Sequence, residues 1–157
     1  MGAGKSTIGR LLAVRLQFAF FDTDAVIEER TGADIPWIFD VEGETGFRDR
    51  EAAVLKDLID YSEAVIATGG GIVIRAENRE TLSRSGKVVY LTASIDQLVD
   101  RTCKDKKRPL LQVDDPRKKI TSLIIERDPL YRAVATDIVE TGGRSPKNVV
   151  QEILDFL

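Results

Sequence analysis

A lysine set between Gly4 and Ser6 opens an amphipathic stretch, and that arrangement is suited to holding phosphate. Residues 1–7 read Met-Gly-Ala-Gly-Lys-Ser-Thr. Glycines let backbone N–H groups crowd a phosphate, because no Cβ blocks their approach. The helix starting near Lys5 aims its positive dipole end at the same place. Lys5 can reach β- and γ-phosphates, and the Ser6 hydroxyl can ligate Mg²⁺. The pattern G-x-x-x-x-G-K-[ST] is present in its second half only, from Gly4 onward.

Further residues along the chain have the chemistry to complete such a site. Asp22 and Asp24 follow a short apolar run; one could support Mg²⁺ through water and one could accept a hydrogen bond from a substrate hydroxyl. Strand alternation would send both side chains the same way, although the pair also suits a turn and helix cap. Arg48 and Glu51 are three apart on a helix, so the carboxylate can fix the guanidinium for a ligand's carboxylate; a solvated salt-bridged face is the alternative. Gly69, Gly70 and Gly71 end a strand, as a tight turn or a close backbone approach to a ligand. Arg108 precedes Pro109, which holds it extended in a charged loop that could close on a transferring phosphoryl group or simply be solvated. Arg132, near Pro129, reads alone as a surface arginine.

Composition narrows the chemistry. The chain has no histidine, so acid–base work falls to carboxylates or lysine. A net charge of −3 argues against general nucleic-acid binding but leaves room for a local basic cleft. One cysteine, Cys103, excludes an internal disulfide and fits a reducing cytoplasm. No apolar run has spanning length. The 157 residues suit one domain.

The elements that must position these residues alternate. Helical spacing predicts a helix over 5–16, and residues 18–21 read as a buried strand. Thr23 or Asp24 could cap a helix over 25–30 that Gly32 stops. Helices over 35–39 and 43–61, a strand over 64–67, a helix over 77–85 and a strand over 87–91 follow. Ser94 caps a helix over 95–103, and residues 104–115 read as a loop. A helix from Pro116 to about 135 should be disturbed at Pro129, before a strand over 137–140 and a terminal helix from Pro146. Apolar strands alternating with helices imply an α/β fold in three layers, an open parallel sheet flanked by helices. Ligands in such sheets bind beyond the strand C-termini, where Asp22, Asp24, the glycine triplet and the Gly142 loop fall.

In this order the motifs resemble those of shikimate kinases, small members of the P-loop kinase fold: Gly-Ala-Gly-Lys-Ser, Phe20-x-Asp-x-Asp24, Phe47-Arg48-x-x-Glu51, the glycine triplet, Arg108-Pro-Leu-Leu and Pro129-Leu-Tyr-Arg132. The family's first strand and first loop glycine have no counterpart here. The resemblance implies ATP-dependent phosphorylation of the 3-hydroxyl of shikimate, by a monomeric, cytoplasmic enzyme with no nucleic-acid or membrane partner. It implies that Gly2, Ala3, Gly4, Lys5, Ser6 and Thr7 hold the nucleotide phosphates, and that Ser6, with Asp22 behind it, holds Mg²⁺. Asp24 would hold the shikimate hydroxyls and accept the proton, and Arg48 and Arg132 would clamp the carboxylate. Phe47, Gly69, Gly70 and Gly71 would line the pocket, Arg108 would come from a lid over 104–115, and Arg101, Arg144 and Pro146 would flank the adenine. The substrate subregion would span about 24–53 of a single domain over 1–157.

Three other readings compete: a gluconate or nucleotide kinase of the same fold, a GTP-dependent switch, and a catalytically dead binding module. Asp40-Val41-Glu42-Gly43 fits the switch's Asp-x-x-Gly, but no Asn-Lys-x-Asp guanine signature occurs. A phosphate loop normally joins a buried strand to a helix. The expectation is therefore that Met1 is internal to a longer chain carrying an apolar strand of about 5–6 residues upstream. The alternatives are a poorly stable, nearly inactive short form, or one in which another segment replaces the strand.

Overall fold

Among the described residues four short strands in two parallel pairs set the architecture, and three of them end beside a loop that carries a motif residue. The computed structural model describes residues 2–102 and 113–157. Helix α1 (Lys5–Leu16) leads to β1 (Ala19–Asp22), α2 (Thr23–Thr31) and α3 (Ile35–Leu58). Then come β2 (Ala64–Ala67), α4 (Ala76–Ser83), β3 (Val89–Thr92) and α5 (Ile95–Thr102). Helix α6 (Pro116–Val134), β4 (Asp137–Glu140) and α7 (Pro146–Asp155) complete the described chain. Most of the expected lid, Arg108 included, lies outside the described residues.

β1 pairs with β2 in parallel, Ala19 opposite Ala64 through Asp22 opposite Ala67. β3 pairs with β4 in parallel, Val89 opposite Asp137 through Thr92 opposite Glu140. No strand among the described residues joins β2 to β3, so the expected open sheet is in two halves with a gap inside. Helices cover both faces. On one, Ile8 and Leu12 of α1 pack with Val149, Val150 and Ile153 of α7. On the other, Leu55 of α3 and Leu82 of α4 pack with Ile72, Val73 and Val134.

Three local expectations are corrected. The α2 cap is Asp22, whose side chain accepts from the Asp24 N–H, and neither Thr23 nor Asp24 fills that role. The two helices expected over 35–61 form one element with a break at Gly43, whose φ of 71° and ψ of −179° interrupt the helical path. Helix α6 continues through Pro129. Pro129 and Ile125, whose carbonyl loses its partner there, both face solvent, so water can take up the freed acceptor.

Candidate active site

The phosphate loop turns on two glycines. Gly4, at φ 87°, precedes α1 in the left-handed region, so the first N–H groups of the helix face the loop. Gly2 has φ 68°, and a Cβ there would lie 2.9 Å from Thr102 Cγ2. Ala3 is buried, Lys5 half-buried, and Ser6 and Thr7 are exposed. Ser6 Oγ donates to Asp22 Oδ2 at 2.5 Å, while Asp22 Oδ1 accepts from Asp24 N–H at 3.1 Å. Because the strand stops at Asp22, alternation does not apply: Asp22 turns to Ser6 and Asp24 turns to the glycine triplet.

Arg101 anchors the loop from the far side. Its Nη1 donates to the Gly2 carbonyl at 3.1 Å and to Thr141 Oγ1 at 3.4 Å. Thr141 in turn bonds the Thr92 carbonyl at the end of β3. Arg144 donates to the carbonyls of Glu140 and Asn148 and pairs with Glu152, which steadies the 141–146 loop. Pro146 starts α7, capped by Ser145.

The second half of the site surrounds the glycine turn. Arg48 Nη1 meets Glu51 Oε2 at 2.8 Å and its Nη2 meets Glu44 Oε1 at 3.0 Å, so the expected brace is real. The solvated-face alternative fails, since the Glu51 side chain is 0% exposed and that of Arg48 8%. A Cβ at Gly71 would sit 2.0 Å from Arg48 Nη1, and one at Gly69 would sit 2.6 Å from Glu51 Oε1 and 2.8 Å from Asp24 Oδ1. The glycines are therefore required by close approach. Gly69 N–H donates to the buried Thr23 Oγ1 at 2.9 Å, which ties the turn to α2. Phe47 is buried, its ring tilted at 37° to that of Phe39 with centroids 4.8 Å apart, and it lies 5.2 Å from the Arg48 guanidinium.

Burial pushes the Glu51 carboxyl above its usual value, and Arg48 pulls only part of that back. Burial works against the Arg48 charge as well, yet attraction and hydrogen bonds from Glu51 and Glu44 prevail and its pKa rises. Arg48 Nε, Glu51 Oε1 and Arg127 Nε are buried with no hydrogen-bond partner among the described residues. Three such atoms near one glycine turn are what a polar ligand or ordered water would satisfy.

Arg127 and Tyr131 went unread in the sequence. Arg127 Nη1 and the Tyr131 hydroxyl both donate to the Gly70 carbonyl. Tyr131 stacks on Tyr90 at 4.8 Å, and burial raises the pKa of both phenols, helped at Tyr90 by its bond to Asp128. The available signal was spacing: Ile120, Leu123, Arg127 and Val134 form the buried stripe of α6, with a cation inside it. Arg132 lies off that stripe. Its side chain is 54% exposed and bonds Asp128 at 2.7 Å, so the structure does not bring it to Arg48.

Ser6 and Asp22 present hard oxygen donors side by side, which suits a magnesium ion taking its other ligands from phosphate and water. Among the described residues no three histidine, cysteine or acidic side chains gather into a metal cage.

Comparison with known proteins comes out on one side. A family model described as Shikimate kinase matches residues 1–157. A shikimate kinase of Pseudomonas aeruginosa is 57% identical over 157 residues, covering 100% of this chain and 91% of the relative. One from Pseudomonas syringae pv. tomato is 56% identical over 154 residues, covering 98% and 90%. Among solved structures, a shikimate kinase from Acinetobacter baumannii in complex with shikimate matches with a TM-score of 0.97 at 50% identity, covering 99% of this chain and 87% of that one.

Proposed function

The chain belongs to the shikimate kinase family, and from that premise we propose how its own residues divide the transfer of a phosphoryl group from ATP to the 3-hydroxyl of shikimate. The activity yields shikimate 3-phosphate and ADP, a step in chorismate and aromatic amino acid biosynthesis.

The observation that carries the assignment is the buried Arg48. It is braced by Glu51, pressed against Gly71, and has Nε unsatisfied by the protein. A planar carboxylate accepts two parallel N–H bonds from such a fork. Shikimate then binds with its carboxylate at Arg48, its ring against Gly69, Gly70, Gly71 and Phe47, and its hydroxyls toward Asp24. Asp24 accepts the 3-hydroxyl proton as the oxygen attacks the γ-phosphorus. Lys5 and the N–H groups of residues 2–7 balance the charge that builds on the phosphate oxygens. Arg108 adds a further cation from the 104–115 segment. Arg132 joins the carboxylate clamp by rotating its exposed side chain away from Asp128, while Arg127 holds the Gly70 carbonyl and so the shape of the turn.

The adenine lies between Arg101 and the loop of Arg144 and Pro146. Ser6, with Asp22 behind it, would hold magnesium, which would supply neutralisation of phosphate charge. The protein works as a monomeric cytoplasmic domain over 1–157, without nucleic-acid or membrane partners. The net charge of −3 supports the part of this that concerns nucleic acid.

A coupled ADP assay tests the reading. ADP release should depend on shikimate and be negligible with gluconate or AMP. Equal turnover with gluconate would refute it.

A further inference from the structure

The glycine turn is held by side chains from three helices. Arg127 Nη1 and the Tyr131 hydroxyl donate to the Gly70 carbonyl from α6. Asn78 Nδ2 donates to the Ile72 carbonyl at 3.0 Å from α4. Thr23 Oγ1 accepts the Gly69 N–H at 2.9 Å from α2. The bonds from α6 and α4 fix the turn against those helices. The bond from Thr23 fixes it against the helix that carries Asp24, the next residue in the chain.

This last bond has little slack. Thr23 is the first residue of α2, so its hydroxyl is one torsion away from a helical backbone that Asp22 caps. Thr23 is 0% exposed and Gly69 is buried, so neither end is open to solvent. A Gly69 N–H deprived of Thr23 would be left unpaired or would move to another acceptor. The room for such movement is small. A Cβ at Gly69 would lie 2.8 Å from Asp24 Oδ1 and 2.6 Å from Glu51 Oε1. A turn that shifts therefore shifts against both the proton acceptor and the brace of Arg48.

We propose that Thr23 is a positioning residue for phosphoryl transfer: through the Gly69 N–H, its hydroxyl sets the spacing between the Asp24 carboxylate and the turn against which Arg48 holds the substrate. The proposal rests on the assignment of shikimate to Asp24, Arg48 and the turn. Thr23 acts through Gly69 and decides whether a molecule clamped at Arg48 presents its hydroxyl to Asp24. Its loss is therefore felt in the chemical step more than in binding. An error of about 1 Å in such a placement can cost about a hundredfold in rate.

Steady-state kinetics in both substrates, on the parent protein, Thr23→Val and Thr23→Ser, test this. Valine keeps the branched shape and lacks the acceptor; serine keeps the acceptor and loses the methyl. Thr23→Val, shown to be folded by circular dichroism, should lose kcat by at least about tenfold, with the KM for ATP within about twofold of the parent's. Thr23→Ser should recover kcat to within about threefold. A role in packing alone would lower the thermal midpoint and spare the kcat of the folded protein. Should Thr23→Val not fold, Thr23→Cys takes its place, because a thiol is a weak acceptor of nearly the same shape as the serine hydroxyl. Its kcat should then fall by the same order below that of Thr23→Ser. A folded Thr23→Val or Thr23→Cys with the parent's kcat overturns the proposal, as does a Thr23→Ser as slow as Thr23→Val. A parent without shikimate-dependent turnover overturns the underlying assignment, and the proposal with it.

Discussion

Arg48 and Gly71 constrain one another. A guanidinium this deep is tolerated because Glu51 and Glu44 receive it, and it can lie against the turn because Gly71 has no side chain. Gly71→Ala should therefore push Arg48 off its position and raise the KM for shikimate about tenfold or more, worth ~1.4 kcal/mol, with ATP KM little changed. Steady-state kinetics in both substrates check this; an unchanged shikimate KM would separate the turn from the clamp. Glu51 gives a pH test. Burial holds its folded-state pKa above the usual 4.5, so its contribution to stability is complete below that value and is lost as pH rises through the raised one. Relative to the parent chain, Glu51→Gln should gain stability over that rising interval and show a flat difference below it. Urea midpoints measured across the interval should show the shift. A difference that moves against the glutamine variant as pH rises would contradict the sign.

The elements explain what was and was not legible. The Gly4-Lys5-Ser6 loop and the Arg48–Glu51 brace were readable because each depends on local spacing that backbone geometry converts directly into position, whereas the alternation expected of Asp22 and Asp24 fails because the strand stops at Asp22. Arg127 and Arg132 were not distinguishable that way. Both are arginines on α6, and only the phase of the buried stripe separates the inward one from the outward one. The Asp22 cap was missed because the strand's last residue and the helix's cap are the same residue. Gly43 is a separate constraint at this scale. Its φ of 71° with ψ of −179° is a region almost reserved for glycine, and an added Cβ there would meet nothing within 4 Å. Gly43→Ala should thus cost about 1–3 kcal/mol from backbone strain alone. A thermal midpoint equal to the parent's would show that the break relaxes. Arg101→Ala should weaken ATP far more than shikimate, because its bonds join the Gly2 carbonyl to Thr141 and touch nothing at the Arg48 end. Isothermal titration with each ligand tells the two apart.

Over the whole molecule, the two halves of the site belong to different parts of a divided sheet. The loop of residues 141–146 leans on β3 and β4, whereas Asp22, Asp24 and the glycine turn follow β1 and β2. The phosphate loop bridges them through Arg101 on one side and Ser6 on the other. The size and apolar lining of the gap depend on how helices from both faces meet and could not be read from any one segment. The account's central claim is that Arg48 binds the carboxylate of shikimate from a buried, braced position. The most direct test is the shikimate dissociation constant of Arg48→Ala against that of the parent chain, with circular dichroism and ATP affinity confirming that the variant is folded. The account predicts a loss of about 2–5 kcal/mol, roughly 30- to several-thousand-fold, with ATP affinity largely retained. A folded variant that binds shikimate as tightly as the parent would contradict it.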